Sequence, residues 1–278
     1  MIVDCHTHIF PEKIAPKVME QNRRNLELEP YGAGTTGDLI IYMDTAGVDY
    51  AIAFGVAPDG GFVRATNDWL MSQANSRLLL FGTITPDYEQ WEAEIERIKA
   101  AGVVGVKFNP LFQDIRPEDR NMYPIYEKLT QEEMFVFYHA GKGSGRENSA
   151  GVRSTPAGLR RLHDDHPNLK LICAHFGGSG MLDEVMESLA GTDVYLDTSQ
   201  TPTCRDLDVV TIKKLINKHG TDRILYATDY PWARQGSAYG WEYEWLRRLN
   251  LSEKDQEMIL GGNAQRLFGL PRQASGYP

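Results

Sequence analysis

The sequence predicts a single α/β domain in which eight parallel strands, each followed by a helix, close into a (β/α)8 TIM barrel. Eight short apolar runs alternate with segments of helical periodicity, which is typical of parallel strands joined by helical crossovers. The length of 278 residues also suits such a barrel, for which about 250 residues is typical. The runner-up is a doubly wound open sheet, but the sequence lacks the Gly-rich phosphate loop that usually follows an early strand of that fold.

The predicted strands are apolar runs of seven to nine residues. In chain order they are residues 2–10, 49–55, 78–85, 103–110, 135–141, 169–177, 193–199 and 223–231. Residues 1–270 are expected to form the barrel and residues 271–278 a loose C-terminal tail.

The segments between the strands carry helix caps and helix stops. In residues 91–102 the apolar side chains fall on one helical face, and Gly102 ends the helix. Ser154 or Thr155 is expected to cap a later helix, and Gly220 ends the helix before the last strand. The longest connection, residues 11–36, is predicted to be a lid or substrate loop at the mouth of the barrel.

Charge and cysteine content exclude several classes of protein. Lys and Arg total 29 against 38 Asp and Glu, so the net charge of −9 disfavours nucleic-acid binding. Cys5, Cys173 and Cys204 are widely spaced, which fits a reducing compartment. No apolar run approaches the length of a membrane span, and no signal-peptide pattern precedes the first strand. A cytoplasmic protein without nucleic-acid or membrane partners is therefore expected.

The first strand carries two histidines two positions apart. Side chains alternate across a strand, so His6 and His8 are expected to share one face while Cys5 and Thr7 share the other. Two imidazoles in a packed barrel interior would be unpaired polar groups, at a cost of roughly a few kcal/mol each. A bound divalent cation removes that cost, so the pair indicates a metal site.

Other polar side chains end three further strands. His139, His175 and Asp229 close the fifth, sixth and eighth strands, and Lys107 lies late in the fourth. The C-terminal ends of the strands form the catalytic face of a TIM barrel, so these side chains are expected to meet the first-strand histidines. Nitrogen and oxygen donors suit Zn²⁺ first, with Mn, Fe, Co or Ni as alternatives.

Six motifs together resemble the amidohydrolase superfamily: DCHTHIFP, VGVKFNP, FYHAG, CAHFGG, ATDYP and GGNAQRLFGL. They are most similar to its amidohydrolase-related branch, which includes aminocarboxymuconate semialdehyde decarboxylase and γ-resorcylate decarboxylase. The resemblance extends from the first strand to about Leu270. By position it implies four metal ligands: His6, His8, His139 and Asp229.

The resemblance also implies catalytic roles. His175 would activate water or contact the substrate, and Asp229 would also carry a proton. One metal is expected because the branch is mostly mononuclear, and a second is implied only if Lys107 is carboxylated. Many relatives have a histidine-proline pair after this lysine, whereas KFNP here places Asn109 there. A homodimer is the assembly that the resemblance suggests.

Two reactions fit these residues. The first expectation is a metal-dependent hydrolase that attacks a small carboxylate-bearing substrate with metal-activated water. The alternative is a non-oxidative decarboxylase on the same metal site. A metal-dependent deoxyribonuclease is disfavoured by Lys107, where such enzymes usually carry a glutamate, and by the acidic charge. A catalytically silent metal-binding protein is disfavoured by the full set of acid–base residues.

Four residues are expected to contact the substrate. Guanidinium groups bind carboxylates through paired hydrogen bonds, which favours Arg146 and Arg153 in the loop after the fifth strand, beside Lys142. Lys107 is expected to pair with a substrate carboxylate or with Asp229, and Trp232 to contact an aromatic substrate.

Overall fold

The computed structural model describes residues 1–26, 30–143, 151–199, 209–232 and 246–271. Within them, eight parallel strands form one sheet whose order follows the chain. They are β1 (Val3–His8), β2 (Tyr50–Phe54), β3 (Leu78–Gly82), β4 (Gly105–Phe108), β5 (Phe135–Tyr138), β6 (Lys170–Cys173), β7 (Tyr195–Asp197) and β8 (Ile224–Leu225). Each strand lies inside its predicted range, so the (β/α)8 barrel is confirmed.

The sheet closes because the first strand pairs with the segment that follows the last. The backbone N–H of Cys5 donates to the carbonyl of Tyr226 at 2.9 Å, and the N–H of Asp229 donates to the carbonyl of His6 at 2.9 Å. A further bond of 2.7 Å joins the N–H of His8 to the carbonyl of Tyr230. The residues after β8 are therefore held directly against the histidines of β1.

Helices connect successive strands. They are α1 (Ala15–Leu26), α2 (Thr36–Ala46), α3 (Gly60–Ser72), α4 (Trp91–Ala100), α5 (Tyr123–Gln131), α6 (Pro156–Asp165), α7 (Leu182–Ser188), α8 (Val209–His219), α9 (Glu253–Glu257) and α10 (Asn263–Phe268). Among the residues that the structure describes, no helix combines the length and apolarity that crossing a bilayer requires.

Two helix ends follow the predicted chemistry. The hydroxyl of Thr155 accepts a hydrogen bond of 3.0 Å from the backbone N–H of Gly158, which satisfies one free donor of the first turn of α6. Helix α8 ends at His219, and Gly220 follows with φ of 103°. Glycine adopts this left-handed region without a steric penalty, so it ends the helix.

The long connection after β1 contains a helix as well as loop segments. Ala15 and Met19 lie four residues apart and are both buried, which gives α1 one apolar face. Arg23 and Arg24 pair with Glu20 on its exposed side. The predicted substrate loop therefore carries a helix that packs on the barrel.

The predicted alternation of side chains along β1 is wrong at one position. Cys5 does not face away from the site; it belongs to the same buried cluster as Phe54 and Phe137. His6 contacts both of these rings, at centroid distances of 4.9 and 5.3 Å. The pairing of β1 with β2 shifts register between Asp4 and Thr7, and such a bulge re-aims the side chains around it.

His219, the last residue of α8, is a buried neutral imidazole. Its Nε2 donates to the carbonyl of Val194 at 3.0 Å, and its Nδ1 accepts from the N–H of Gly191 at 3.3 Å. Burial lowers the pKa of His219 to about 4.

This imidazole is expected to make the fold sensitive to acid. Because the folded-state pKa lies below the value of about 6.5 for an unfolded chain, the unfolded state binds more protons as the pH falls. Stability from this group is complete above about pH 6.5, and about 2 kcal/mol of it is lost between about pH 7 and about pH 5. Urea unfolding measures the free energy of unfolding of the protein and of the His219→Gln variant at both pH values. Between about pH 7 and about pH 5 the protein should lose about 2 kcal/mol more than the variant. Equal losses would contradict the assignment.

Candidate metal centre

Five polar side chains meet at the C-terminal end of the barrel. His6 and His8 end β1, and His139 follows β5 directly. His175 lies in the turn after β6, and Asp229 lies in the segment after β8. All five line one cavity of about 330 Å³. The structure therefore brings together every residue for which a metal-binding or catalytic role was predicted.

Three donor atoms form a nearly equilateral triangle. His6 Nε2 and His8 Nε2 are 3.2 Å apart, and each lies 3.3 Å from Asp229 Oδ1. Ligand-type atoms of His6, His175 and Asp229 also lie within 4.8 Å of one another. Neighbouring ligands held at about 2.0–2.2 Å from a single cation lie about 3–3.5 Å apart. The spacing therefore fits one divalent ion.

Hydrogen bonds identify which ring nitrogens are free to bind a metal. His6 Nδ1 lies 2.8 Å from Asp197 Oδ2 and 2.9 Å from Ser199 Oγ, whose own proton is directed to Asp197 Oδ1, so Nδ1 carries the hydrogen and donates it. His175 Nδ1 donates to the backbone carbonyl of Ser199 at 2.6 Å, because a carbonyl oxygen can only accept. In both rings Nε2 is therefore the unprotonated nitrogen, and it faces the cavity.

The protonation of His139 follows from that of His175. His139 Nδ1 lies 3.0 Å from His175 Nε2 and must donate to it, so the lone pair of His139 is on Nε2. This Nε2 is buried and has no hydrogen-bond partner within the described parts of the chain. Because an unpaired buried nitrogen is costly, its place in the wall of the cavity that His6, His8 and Asp229 also line supports a bound cation.

Burial keeps these imidazoles in the neutral form that binds metals. It is the largest cause that lowers the pKa of His6 and His139 well below the usual value. It also lowers the pKa of His175 to about 4. At neutral pH the three rings therefore act as lone-pair donors rather than as cations.

Two of the turns that carry site residues are strained. His175, Phe176 and Asp229 have φ values of 57°, 53° and 63°, which residues other than glycine rarely adopt. Each such conformation costs about 1–3 kcal/mol and persists only where surrounding contacts enforce it. Both turns are held by buried aspartates.

These aspartates are Asp4 and Asp197, and no role was predicted for either of them from the sequence. Asp4 accepts from the N–H of Thr228 at 3.0 Å and from its hydroxyl at 2.6 Å, which holds the segment before Asp229. Asp197 accepts from the N–H of His175 at 2.8 Å. Burial raises the pKa of each carboxyl to about 7. The feature of the sequence that could have indicated them is an acidic residue inside an apolar strand, as in VDCH and YLDT.

Lys107 lies beneath the donor set and not in the cavity. Its side chain is 0 % exposed, and its Nζ stands 4.5 and 4.4 Å from the ring centroids of Phe54 and Phe137. The Nζ also lies 3.5 Å from His6 Nε2. Burial lowers its pKa to about 8. This position does not support the expected contact between Lys107 and a substrate carboxylate.

Of the other residues that were expected to contact the substrate, Trp232 lies at the cavity and Arg153 does not. Trp232 lines the cavity. Arg153 points elsewhere, with Nη1 donating to the carbonyl of Pro110 at 3.1 Å and Nη2 lying 3.4 Å from Asp114. Arg146 lies outside the described residues, as do Cys204 and the tail from residue 272 onward.

The cavity walls are mainly apolar. Among the described residues that line it, Lys142 is the one lysine or arginine. Helix α1 covers one side and contributes Val18, Gln21 and Asn22. The remaining wall residues are mostly apolar: Phe10, Val56, Pro58, Leu111, Phe112 and Trp232. The predicted position of residues 11–36 at the barrel mouth agrees with this lining.

Comparisons with known proteins agree with the geometry. A family model described as amidohydrolase matches residues 3–270. The sequence is 24 % identical over 253 residues to a γ-resorcylate decarboxylase from Polaromonas sp. (strain JS666), with 75 % of this chain and 76 % of that protein covered.

Two solved structures share the fold. A 2,6-dihydroxybenzoate decarboxylase complexed with 2,6-dihydroxybenzoate superposes with a TM-score of 0.73 at 20 % identity, covering 97 % of this chain and 99 % of that one. A dihydroxybenzoic acid decarboxylase from Polaromonas sp. JS666, with bound manganese and 2-nitroresorcinol, has a TM-score of 0.71 at 21 % identity and covers 97 % of each chain.

These relatives correct two expectations. All three are decarboxylases, so they favour the alternative reaction over the hydrolase that was placed first. One of them holds manganese, which supports a divalent metal but not the ranking of zinc above other metals. Because the family model covers nearly the whole barrel, including all five site residues, the chain belongs to this amidohydrolase family of enzymes.

Proposed function

We propose that the protein is a metal-dependent, non-oxidative decarboxylase of small aromatic carboxylates. The observation that carries the proposal is the donor triangle of His6, His8 and Asp229 at the floor of a cavity with mainly apolar walls. The decarboxylase relatives support the choice of reaction over hydrolysis.

The metal ligands in this proposal are His6, His8, His139 and Asp229. A divalent cation held there would supply positive charge to oxygen atoms of the substrate. The native ion is a divalent first-row metal, and a set of nitrogen and carboxylate donors is compatible with manganese as well as with zinc.

The protein's own residues supply the proton. In the overall reaction the bond between the carboxylate and the ring carbon breaks, CO₂ leaves, and a proton adds to the same ring carbon. Asp229 lines the cavity and is largely buried, so its carboxyl is positioned to deliver that proton. His175 Nε2 accepts a hydrogen bond from His139 Nδ1 at 3.0 Å, so in this proposal His175 orients the imidazole of His139, and Asp229 takes up its next proton from water.

The walls favour a flat ring. Phe10, Phe112 and Trp232 offer aromatic surfaces, and aromatic pairs favour offset-stacked or edge-to-face contacts. Gln21, Asn22 and Asn109 offer hydrogen-bonding groups for ring hydroxyls. The cavity therefore suits a hydroxylated aromatic acid more closely than a flexible aliphatic one.

The reaction can be tested with the metal-loaded protein and a panel of hydroxybenzoates, including 2,6-dihydroxybenzoate, in D₂O. The proposal predicts release of CO₂ and a product with one deuterium at the carbon that carried the carboxylate. A parallel panel of lactones and amides tests the hydrolase. Turnover of the second panel without CO₂ release from the first would overturn the proposed reaction.

Lys142 is expected to contribute to binding of the carboxylate. Charge-assisted hydrogen bonds contribute about 1.5–3 kcal/mol, so Lys142→Met should weaken binding of 2,6-dihydroxybenzoate by about 10- to 100-fold. Binding of its neutral methyl ester should change far less. Equilibrium titration of both compounds measures the difference, and Lys99→Met, an exposed lysine on α4, is the control. Equal effects on acid and ester would remove Lys142 from the proposed site, and Arg146 would then be the next cation to replace.

A further inference from the structure

The carboxyl of Asp197 is a buried junction between three segments of the chain. Its Oδ2 accepts from His6 Nδ1 at 2.8 Å. Its Oδ1 accepts three bonds, from the N–H of His175 at 2.8 Å, the N–H of Ser199 at 2.9 Å and the hydroxyl of Ser199 at 2.5 Å. The side chain of Asp197 is 0 % exposed. Its two oxygens therefore have different partners, and only Oδ2 faces an imidazole.

Ser199 prevents the two oxygens from exchanging places. The Ser199 hydroxyl donates its proton to Asp197 Oδ1, so its oxygen can accept hydrogen bonds from other donors. That oxygen lies 2.9 Å from His6 Nδ1 and 3.1 Å from His175 Nδ1, and both of these nitrogens carry hydrogen. The hydroxyl thus supports the same protonation site in both rings while it holds the carboxyl in one orientation.

We infer that Asp197 and Ser199 are positioning residues that keep the proton of His6 on Nδ1 and so present its Nε2 lone pair to the cation. Neither residue touches the substrate cavity. The inference rests on the metal centre of the proposed function but not on the reaction. Carboxylates that hold the remote nitrogen of a metal-binding histidine typically change metal affinity by about 10- to 100-fold when they are replaced.

An asparagine at position 197 separates positioning from packing. Its carbonyl oxygen has to take the place of Oδ1, because three donors point there. The amide NH₂ then faces His6 Nδ1 and donates to it. His6 Nδ1 must give up its hydrogen, and Nε2 becomes protonated and unable to bind a cation. The variant keeps the size and most hydrogen bonds of the native residue, so a purely structural role predicts little change in metal binding.

The test is Mn²⁺ binding to the full-length protein without substrate, with the tautomer of His6 read from ¹⁵N NMR of the metal-free form. Asp197→Asn is expected to weaken Mn²⁺ binding by about 10- to 100-fold and to move the His6 proton to Nε2. The control is Asp193→Asn, an exposed aspartate just before the same strand, which should match the parent protein.

Variants of Ser199 provide a second and independent test of the inference. Ser199→Ala should weaken Mn²⁺ binding, and Ser199→Thr, which restores a hydroxyl, should recover part of the loss. If Asp197→Asn fails to fold, the two Ser199 variants still test whether these residues position His6. Mn²⁺ affinity unchanged in Ser199→Ala, or a His6 proton that stays on Nδ1 in folded Asp197→Asn, would overturn the inference. Because no turnover is measured, failure of the proposed decarboxylation would leave these results interpretable.

Discussion

Replacing Asp229 with asparagine is expected to lower kcat/KM for the decarboxylated acid by about 10²- to 10⁴-fold, the usual contribution of a positioned proton donor. Asparagine cannot carry the proton that must reach the ring carbon. It also replaces a charged corner of the donor triangle with a neutral amide, since Asp229 Oδ1 lies 3.3 Å from both His6 Nε2 and His8 Nε2. The measurement is steady-state kinetics with metal in excess.

Asp222→Asn is the matched control for this variant. Asp222 lies just before β8, at the opposite end of the barrel, and its side chain is 55 % exposed. It should retain the activity of the parent protein. Activity of Asp229→Asn within a few-fold of the control would contradict the proton-transfer role and the metal-binding role together.

Replacing His139 with glutamine is expected to remove most activity and about half or more of the stabilisation by metal. In the parent protein, a metal present at about 100 times its Kd raises the free energy of unfolding by about 2.7 kcal/mol. If loss of the Nε2 donor weakens binding at least tenfold, the same concentration adds only about 1.4 kcal/mol or less. The reason is the buried, unpartnered Nε2, whose lone pair has no other use among the described residues.

Thermal or urea unfolding with and without metal measures this difference. His163→Gln is the control, because His163 Nε2 contacts Asp193 at 3.0 Å and neither residue lines the cavity. Its response to metal should equal that of the parent protein. A full metal response in His139→Gln would show that His139 is not a ligand, and the proposed set would shrink to His6, His8 and Asp229.

The fold could be predicted because each strand is a short apolar run bounded by polar segments. The metal donors could be predicted for a related reason, since His139, His175 and Asp229 are polar residues where apolar strands end. The barrel's topology then brings those ends together. These predictions needed only local patterns and one general rule about the catalytic face of the fold.

The remaining features depend on contacts that a linear pattern does not encode. The bulge in β1 breaks the alternation on which the orientation of Cys5 was based. Asp197 is separated by 191 residues from its partner His6. Arg153 is turned toward Asp114, a pairing between two loops that composition cannot specify. The Nζ of Lys107 lies over the rings of Phe54 on β2 and Phe137 on β5, a contact across the barrel interior that a linear pattern does not specify.

The most direct test of the account is the metal content of the protein. Material purified without chelators, equilibrated with Mn²⁺ or Zn²⁺ and freed of unbound ions should hold one divalent ion per chain by elemental analysis. Asp229→Asn and His139→Gln should each hold clearly less under the same conditions. A parent protein that retains no divalent ion, or variants that retain as much as the parent, would contradict the convergence of these side chains on one cation.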